Sequence, residues 1–156
     1  MKAKKTWREK LAADNNLPTV KAIPERMIKR HGDGTIAIPS PREVDEIMRK
    51  VPARKLITPT EIGAQVARKH HATIGCTLTS GIFAWIAAHA AHEAELEGKK
   101  KITPYWRALK SGGELNPKFP GGVDNLKQRL EAEGHVITQK GTRYFVENYQ
   151  EKLIKL

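Results

Sequence analysis

Two helix starts spelled in the same way constrain this chain more than any other feature of its sequence. Ser40-Pro41-Arg42-Glu43 and Thr58-Pro59-Thr60-Glu61 each place a hydroxyl at the N-cap, proline at the first helical position and glutamate three residues after the cap. That is the pattern of a capping box combined with the one helical position where proline's missing N–H costs nothing. Val44, Ile47, Met48 and Val51 follow the first start at i, i+3, i+4 and i+7, so that helix buries one face. Pro52 ends it, and Ile62 and Val66 supply the inward face of the next helix. Two short helices joined by a connection of a few residues therefore anchor the fold.

The remaining pattern is mostly helical. Residues 82–96 are alanine-rich, carry Ile82, Phe83, Trp85, Ile86 and Leu96, and stop at Gly98, which predicts a central packing helix. Thr103-Pro104 opens another short helix, and residues 111–122, rich in Gly, Pro, Asn and Lys, predict a surface loop. Val123, Leu126 and Leu130 mark an amphipathic helix closed by Gly134. Residues 136–139 and 142–146, around Lys140-Gly141, read as a hairpin, and 147–156 as a closing helix. Upstream, residues 1–38 read as an arm. It holds short helices at 6–13 and 24–30, a turn at His31-Gly32-Asp33-Gly34 and a short strand at 35–38. The expected fold is mostly α: a winged helix-turn-helix over 39–156 with a small β-hairpin wing and an N-terminal helical arm.

Charge then narrows the partner. Lys and Arg number 28 against 17 Asp and Glu, a formal net charge of +11. An excess of that size favours a polyanion, because neutralising phosphates releases counterions whatever the base sequence. No apolar run approaches the roughly 20 residues that cross a bilayer, and no apolar segment follows the basic start to make a secretory signal. The single cysteine, Cys76, has no internal disulfide partner, which suits a reducing, cytoplasmic setting. The charge alone points to a nucleic acid against a merely soluble basic protein, with no membrane, cofactor or metal expected, for a monomeric chain.

Two stretches carry a resemblance. Val51-Pro52, Lys55-Leu56-Ile57-Thr58 and Glu61-Ile62 are similar to the Val-Pro, Gly-Lys-Val and Thr-Thr-Tyr-Gly-Asp-Ile run of the O(6)-alkylguanine-DNA alkyltransferases, and Ile74-Gly75 falls at their Val-Gly pair. Pro104-Tyr105-Trp106-Arg107-Ala108 then stands where that family has Pro-Cys-His-Arg-Val. Lys110-Ser111-Gly112-Gly113, Gly121-Gly122 and Leu130-Glu131-Ala132-Glu133-Gly134-His135 follow in the family's order. The match spans about 60 residues and is nearest to the alkyltransferase-like proteins, which lack the nucleophilic cysteine and bind alkylated DNA without repairing it.

The departures bear directly on chemistry. The family's cysteine and histidine are replaced by Tyr105 and Trp106, and a phenol with a pKa near ~10 is a poor nucleophile beside a thiolate. The resemblance also puts Pro59 at the family's nucleotide-rotating tyrosine and Ala72 at its arginine finger. The resemblance therefore implies a non-enzymatic binder of duplex DNA that recognises alkylated guanine, with a repair protein as a further partner. The alternative is a winged module that has lost the site and serves protein–protein interaction. Tyr105, Trp106, Arg107 and Glu133 are the candidate base pocket; the two aromatics otherwise fill the core, and Arg107 otherwise forms an internal salt bridge. Arg54, Lys55, Thr60, Arg68, Lys69, His70, His71, Thr73, Lys110 and Ser111 are the candidate DNA contacts, against a solvated surface as the alternative. Small residues at Thr73, Gly75 and Thr77 allow close approach, either to a groove or to another helix. His89, His92 and Glu93 share a helix side but lack a third clear ligand, so packing or surface roles are expected.

Overall fold

The computed structural model describes residues 4–155. In chain order the elements are α1 (Trp7–Ala12), β1 (Thr19–Ala22), α2 (Glu25–His31), β2 (Thr35–Ile38), α3 (Pro41–Arg49), α4 (Pro59–Lys69), β3 (Ile74–Gly75) and α5 (Thr77–Leu96). A 3₁₀ turn (Tyr105–Arg107), α6 (Gly122–Ala132), β4 (Ile137–Lys140), β5 (Arg143–Val146) and α7 (Tyr149–Lys152) complete it. The fold is thus mainly helical with two small sheets.

Both cap-then-proline starts are where the sequence puts them. The Ser40 hydroxyl accepts from Glu43 N–H while the Glu43 carboxylate accepts from Ser40 N–H. At α4 the Glu61 carboxylate takes both the N–H and the hydroxyl of Thr58, at 2.7 and 2.6 Å. Between these helices Leu56 and Ile57 are fully buried and bonded on both sides. Ile57 N–H donates to Arg107 C=O and its carbonyl accepts from Leu109, while Leu56 exchanges bonds with Lys152 and Ile154. The connection between the two helices is therefore the seam joining the N- and C-terminal halves of the core.

The central helix is longer than its sequence pattern indicated. It starts at Thr77, not at 82, and runs unbroken for 20 residues. Cys76 is its N-cap, with Sγ accepting from Thr79 N–H at 3.5 Å, a cap that serine or threonine would normally provide. Ala84, Ala87, Ala88 and Ala91 lie buried at i, i+3, i+4 and i+7. This narrow stripe lets α3 and α4 pack closely along it. Val44, Met48, Ile62, Val66, Leu115, Leu126, Leu130 and Val146 fill the rest of one continuous core.

Residues 4–38 are tied to that core. β1 pairs antiparallel with β2, and β2 pairs parallel with β3 immediately before α5. Thr35 and Thr73 reinforce the junction, each hydroxyl accepting the other's backbone N–H. Helix α1 lies on α5, where the Glu93 carboxylate accepts from Trp7 and Arg8 N–H, both at 3.0 Å. Behind β3, the backbones of α4 and β3 touch. A Cβ on Gly75 would sit 1.9 Å from the Gly63 carbonyl oxygen, so the small residue there serves packing.

Three smaller readings change. The helix opened by Thr103-Pro104 is only the 3₁₀ turn. The hairpin residues are Gly141-Thr142, bracketed by paired Lys140 and Arg143, with Gly141 at φ +61°. Glycine first in a two-residue loop suits the strand twist. The loop over 111–122 is anchored inward, with Glu114, Leu115 and Phe119 buried.

Candidate nucleic-acid interface

A cavity of about 710 Å³ opens between the first turns of α5 and the inward-anchored loop. Pro59 and Ile62 from the start of α4, Leu78, Ile82 and Trp85 from α5, and Phe119 give it apolar walls. Lys110, Lys118 and Arg143 supply its cationic groups, and Glu114 its carboxylate. The loop is held by one carbonyl: Lys118 C=O accepts from Trp85 Nε1 at 3.2 Å and from His89 Nε2 at 2.9 Å. That bond requires His89 to carry its proton on Nε2. The Trp7 ring stacks on His89 at 4.4 Å and meets Trp85 edge-on at 4.7 Å, so α1 buttresses the wall. His89 and Glu93 are consumed by these contacts.

Glu114 is buried, yet its carboxyl lies below the usual carboxylate range. The hydrogen bond from Arg143 at 2.7 Å is the main cause, it outweighs burial, and Lys110 at 3.6 Å adds to it. Arg143 from the hairpin and Lys110 from the turn after the 3₁₀ segment are thereby drawn to one side of the cavity.

Tyr105, Trp106, Arg107 and Glu133 do not line this cavity; they bond to one another and to the core. Tyr105 is fully buried, packs edge-on against Phe119, and its hydroxyl accepts from Asn125 Nδ2 at 2.9 Å. Burial raises its pKa, against the opposing bond from Asn125, so the phenol remains protonated. Trp106 donates its indole N–H to Glu133 at 3.0 Å, and the Arg129 guanidinium lies over its ring at 4.7 Å. Arg107 forks onto Glu133 through Nε and Nη2 while Nη1 donates to Val51 C=O. These residues form an internal ion-pair and aromatic cluster rather than the wall of this cavity, which lies beside Ala108–Ser111.

This cluster makes stability depend on pH in two steps. Burial pushes Glu133 up, but hydrogen bonds from Arg107, Trp106 and Arg54 N–H prevail and hold it below the usual range. Its stabilisation is complete above the unfolded value and is lost as pH falls through the folded one. His135 is lowered chiefly by burial, with Lys152 and Arg107 nearby, and its Nε2 has no partner among the described residues. Unfolding lets it take up a proton, so stability begins to fall as pH drops below the ordinary imidazole value of 6.5. Urea midpoints measured against pH are expected to show this upper step followed by a carboxylate step. His135→Leu should remove the upper step alone; retention of both would refute the assignment.

The basic candidates separate into groups. Lys110 and Ser111 are at the cavity, while Thr60 and Thr73 line a second groove of about 490 Å³ between α2, α4 and β3. Lys69 and His70 are turned to the buried Glu43, at 3.1 and 2.6 Å, and so lock α4 to the start of α3. Of these two, Lys69 remains partly exposed. Arg54 lies beside Glu131 and Lys152 in a third concavity, its N–H bonded to Glu133. Lys55, Arg68 and His71 are exposed without an acidic partner among the described residues. Sequence reasoning missed Leu78, Ile82, Trp85, Lys118, Phe119 and Arg143 at the cavity. They come from separate segments, and the loop composition disguised the buried Phe119.

The fold and site define a class: a small helical domain whose long helix presents its first turns beside an apolar cavity with a cationic rim. A solved protein with this fold is S. pombe Atl1, in a complex with damaged DNA containing O6-carboxymethylguanine. It matches with TM-score 0.53 and 20% sequence identity over 74% of this chain and 94% of that one. A further structure, of S. pombe ATL in complex with DNA, matches with TM-score 0.48 and 20% identity over the same shares. No protein-family model and no curated protein matches the chain.

Proposed function

We propose that this chain binds duplex DNA without transferring an alkyl group, and receives an O(6)-alkylated guanine, rotated out of the stack, in the cavity beside α5. In this reading α4 and the first turns of α5 act as the helix-turn-helix and β4–β5 as the wing. The carrying observation is the cavity, with apolar walls of base-sized reach and with Lys110, Lys118 and Arg143 at its edge. Apolar and aromatic walls suit the faces of an extrahelical base, and the cations suit its flanking phosphates. An alkyl group on O6 weakens the guanine's pairing, so extrusion costs less than for an intact base. The buried, protonated Tyr105 supports binding without alkyl transfer. The fold shared with a protein solved on a damaged duplex supports the same partner. With no chemistry of its own, the complex would serve to mark the lesion for a repair protein.

Fluorescence anisotropy with matched duplexes containing guanine or O6-carboxymethylguanine, across a salt series, tests this. Affinity should fall linearly with salt on logarithmic axes, with Lys118→Gln reducing the slope by about 1. The lesion duplex should bind about tenfold more tightly, a difference of ~1.4 kcal/mol. Equal affinities would remove lesion recognition. Absence of binding at low salt would reject the DNA reading and leave a protein-interaction module.

A further inference from the structure

The first turns of α5 carry two aliphatic side chains in solvent, Leu78 at 74% and Ile82 at 47% exposure, one helical turn apart. Their position gives this exposure a direction. Leu78 lines the cavity on one side and the groove between α2, α4 and β3 on the other. It therefore stands on the ridge separating the two concavities, with Ile82 behind it on the cavity side. Lys110, Lys118 and Arg143 line the first concavity and Lys21, Arg26 and His31 the second. An apolar ridge with cationic groups on both flanks is complementary to a duplex, where a base stack lies between two phosphate backbones. It is poorly suited to an apolar protein partner, which would have to desolvate those cations.

A flipped nucleotide leaves a gap, and proteins that unstack DNA compensate by inserting an aliphatic or aromatic wedge. Ala72, at the position where the resemblance expects an inserted arginine, is partly buried against the core and too short to reach a stack. We propose that Leu78 is the wedge: it enters the duplex from the ridge and fills the space left by the base that occupies the adjoining cavity. Ile82 supports its flank. The assignment rests on the DNA reading above and adds to it the residue that keeps the stack open. Van der Waals contact with the neighbouring bases replaces the charge that a guanidinium would bring, so the insertion itself is insensitive to salt while the flanking contacts are not.

The test uses the full chain and a duplex with 2-aminopurine, whose fluorescence rises on unstacking, next to an O6-methylguanine. Wild type should raise the signal severalfold. Leu78→Ala should lose most of that rise and weaken lesion-duplex binding about tenfold. Leu78→Met should retain the rise. Because the side chain is mostly in solvent, truncation should leave the thermal transition unchanged. A full rise with Leu78→Ala would overturn the wedge with DNA binding intact. Failure of wild type to bind either duplex would instead overturn the functional reading on which the wedge rests.

Discussion

Glu133→Ala is expected to lower the stability of the fold by about 3–5 kcal/mol, the range for removing one partner of a buried ion pair. Glu133 and Arg107 expose only 14% of their side chains each, so water cannot readily replace the lost carboxylate. Arg107 would keep a single bond, from Nη1 to Val51 C=O, and the Trp106 indole N–H would lose its acceptor. The loss should spread beyond the pair, because Arg107 C=O also accepts from Ile57 at the seam between the two halves of the core. Glu133→Gln, which keeps an acceptor but not the charge, should cost less. Urea denaturation followed by circular dichroism measures both, and a loss under about 1 kcal/mol for the alanine variant would contradict a buried structural pair. Duplex affinity of the folded fraction should be unchanged, since Glu133 is not on the cavity wall.

How far the sequence could be read follows from the range of each interaction. Capping boxes are local, four-residue statements, and those at Ser40 and Thr58 are present in the structure as bonds. The start of α5 was illegible for the converse reason. Thr77-Leu78-Thr79-Ser80-Gly81 is a weak helix sequence, and it becomes helical through the Cys76 cap and the packing of α4 against it. The groove strand β3 has only two residues, and its pairing depends on β2 nearly 40 positions earlier, beyond any periodicity argument. The engagement of the candidate site residues is long-range in the same way. Glu43 and Glu133 decide that His70 and Arg107 are internally engaged, and both acids lie 26 or 27 positions away from the partner. The resemblance singled out residues 104–111, and the two ends of that turn face different ways. Ala108 to Ser111 face the cavity, whereas Tyr105 and Trp106 face α6.

That distinction predicts the outcome of introducing the nucleophile of the resembling transferases. Tyr105→Cys places a thiol where the resembling transferases have one, and if that residue alone separated this chain from them, alkyl transfer should appear. It is expected not to. Tyr105 has no exposed surface and lies outside the cavity lining, with Phe119 packed against it on the side that does line the cavity. A thiol there would lack both access to an extruded base and the neighbouring histidine that Trp106 replaces, and burial would raise its pKa away from the reactive thiolate. Loss of the ring should leave a void and cost about 3 kcal/mol, toward the lower end of large-to-small core changes because the sulfur fills part of the space. Asn125 would lose the phenol oxygen but keep its bond to Pro120 C=O at 3.0 Å, so the turn before α6 should persist. The decisive measurement is peptide mapping by mass spectrometry after incubation with an O6-methylguanine duplex, with urea melts run alongside to establish that the variant is folded. A methyl adduct at position 105 would mean that the cavity reaches Tyr105 after all and that one residue separates this chain from a transferase. A folded variant without the adduct would show that the core seals position 105 from the cavity, leaving recognition to the wall formed by α5 and the loop that faces it.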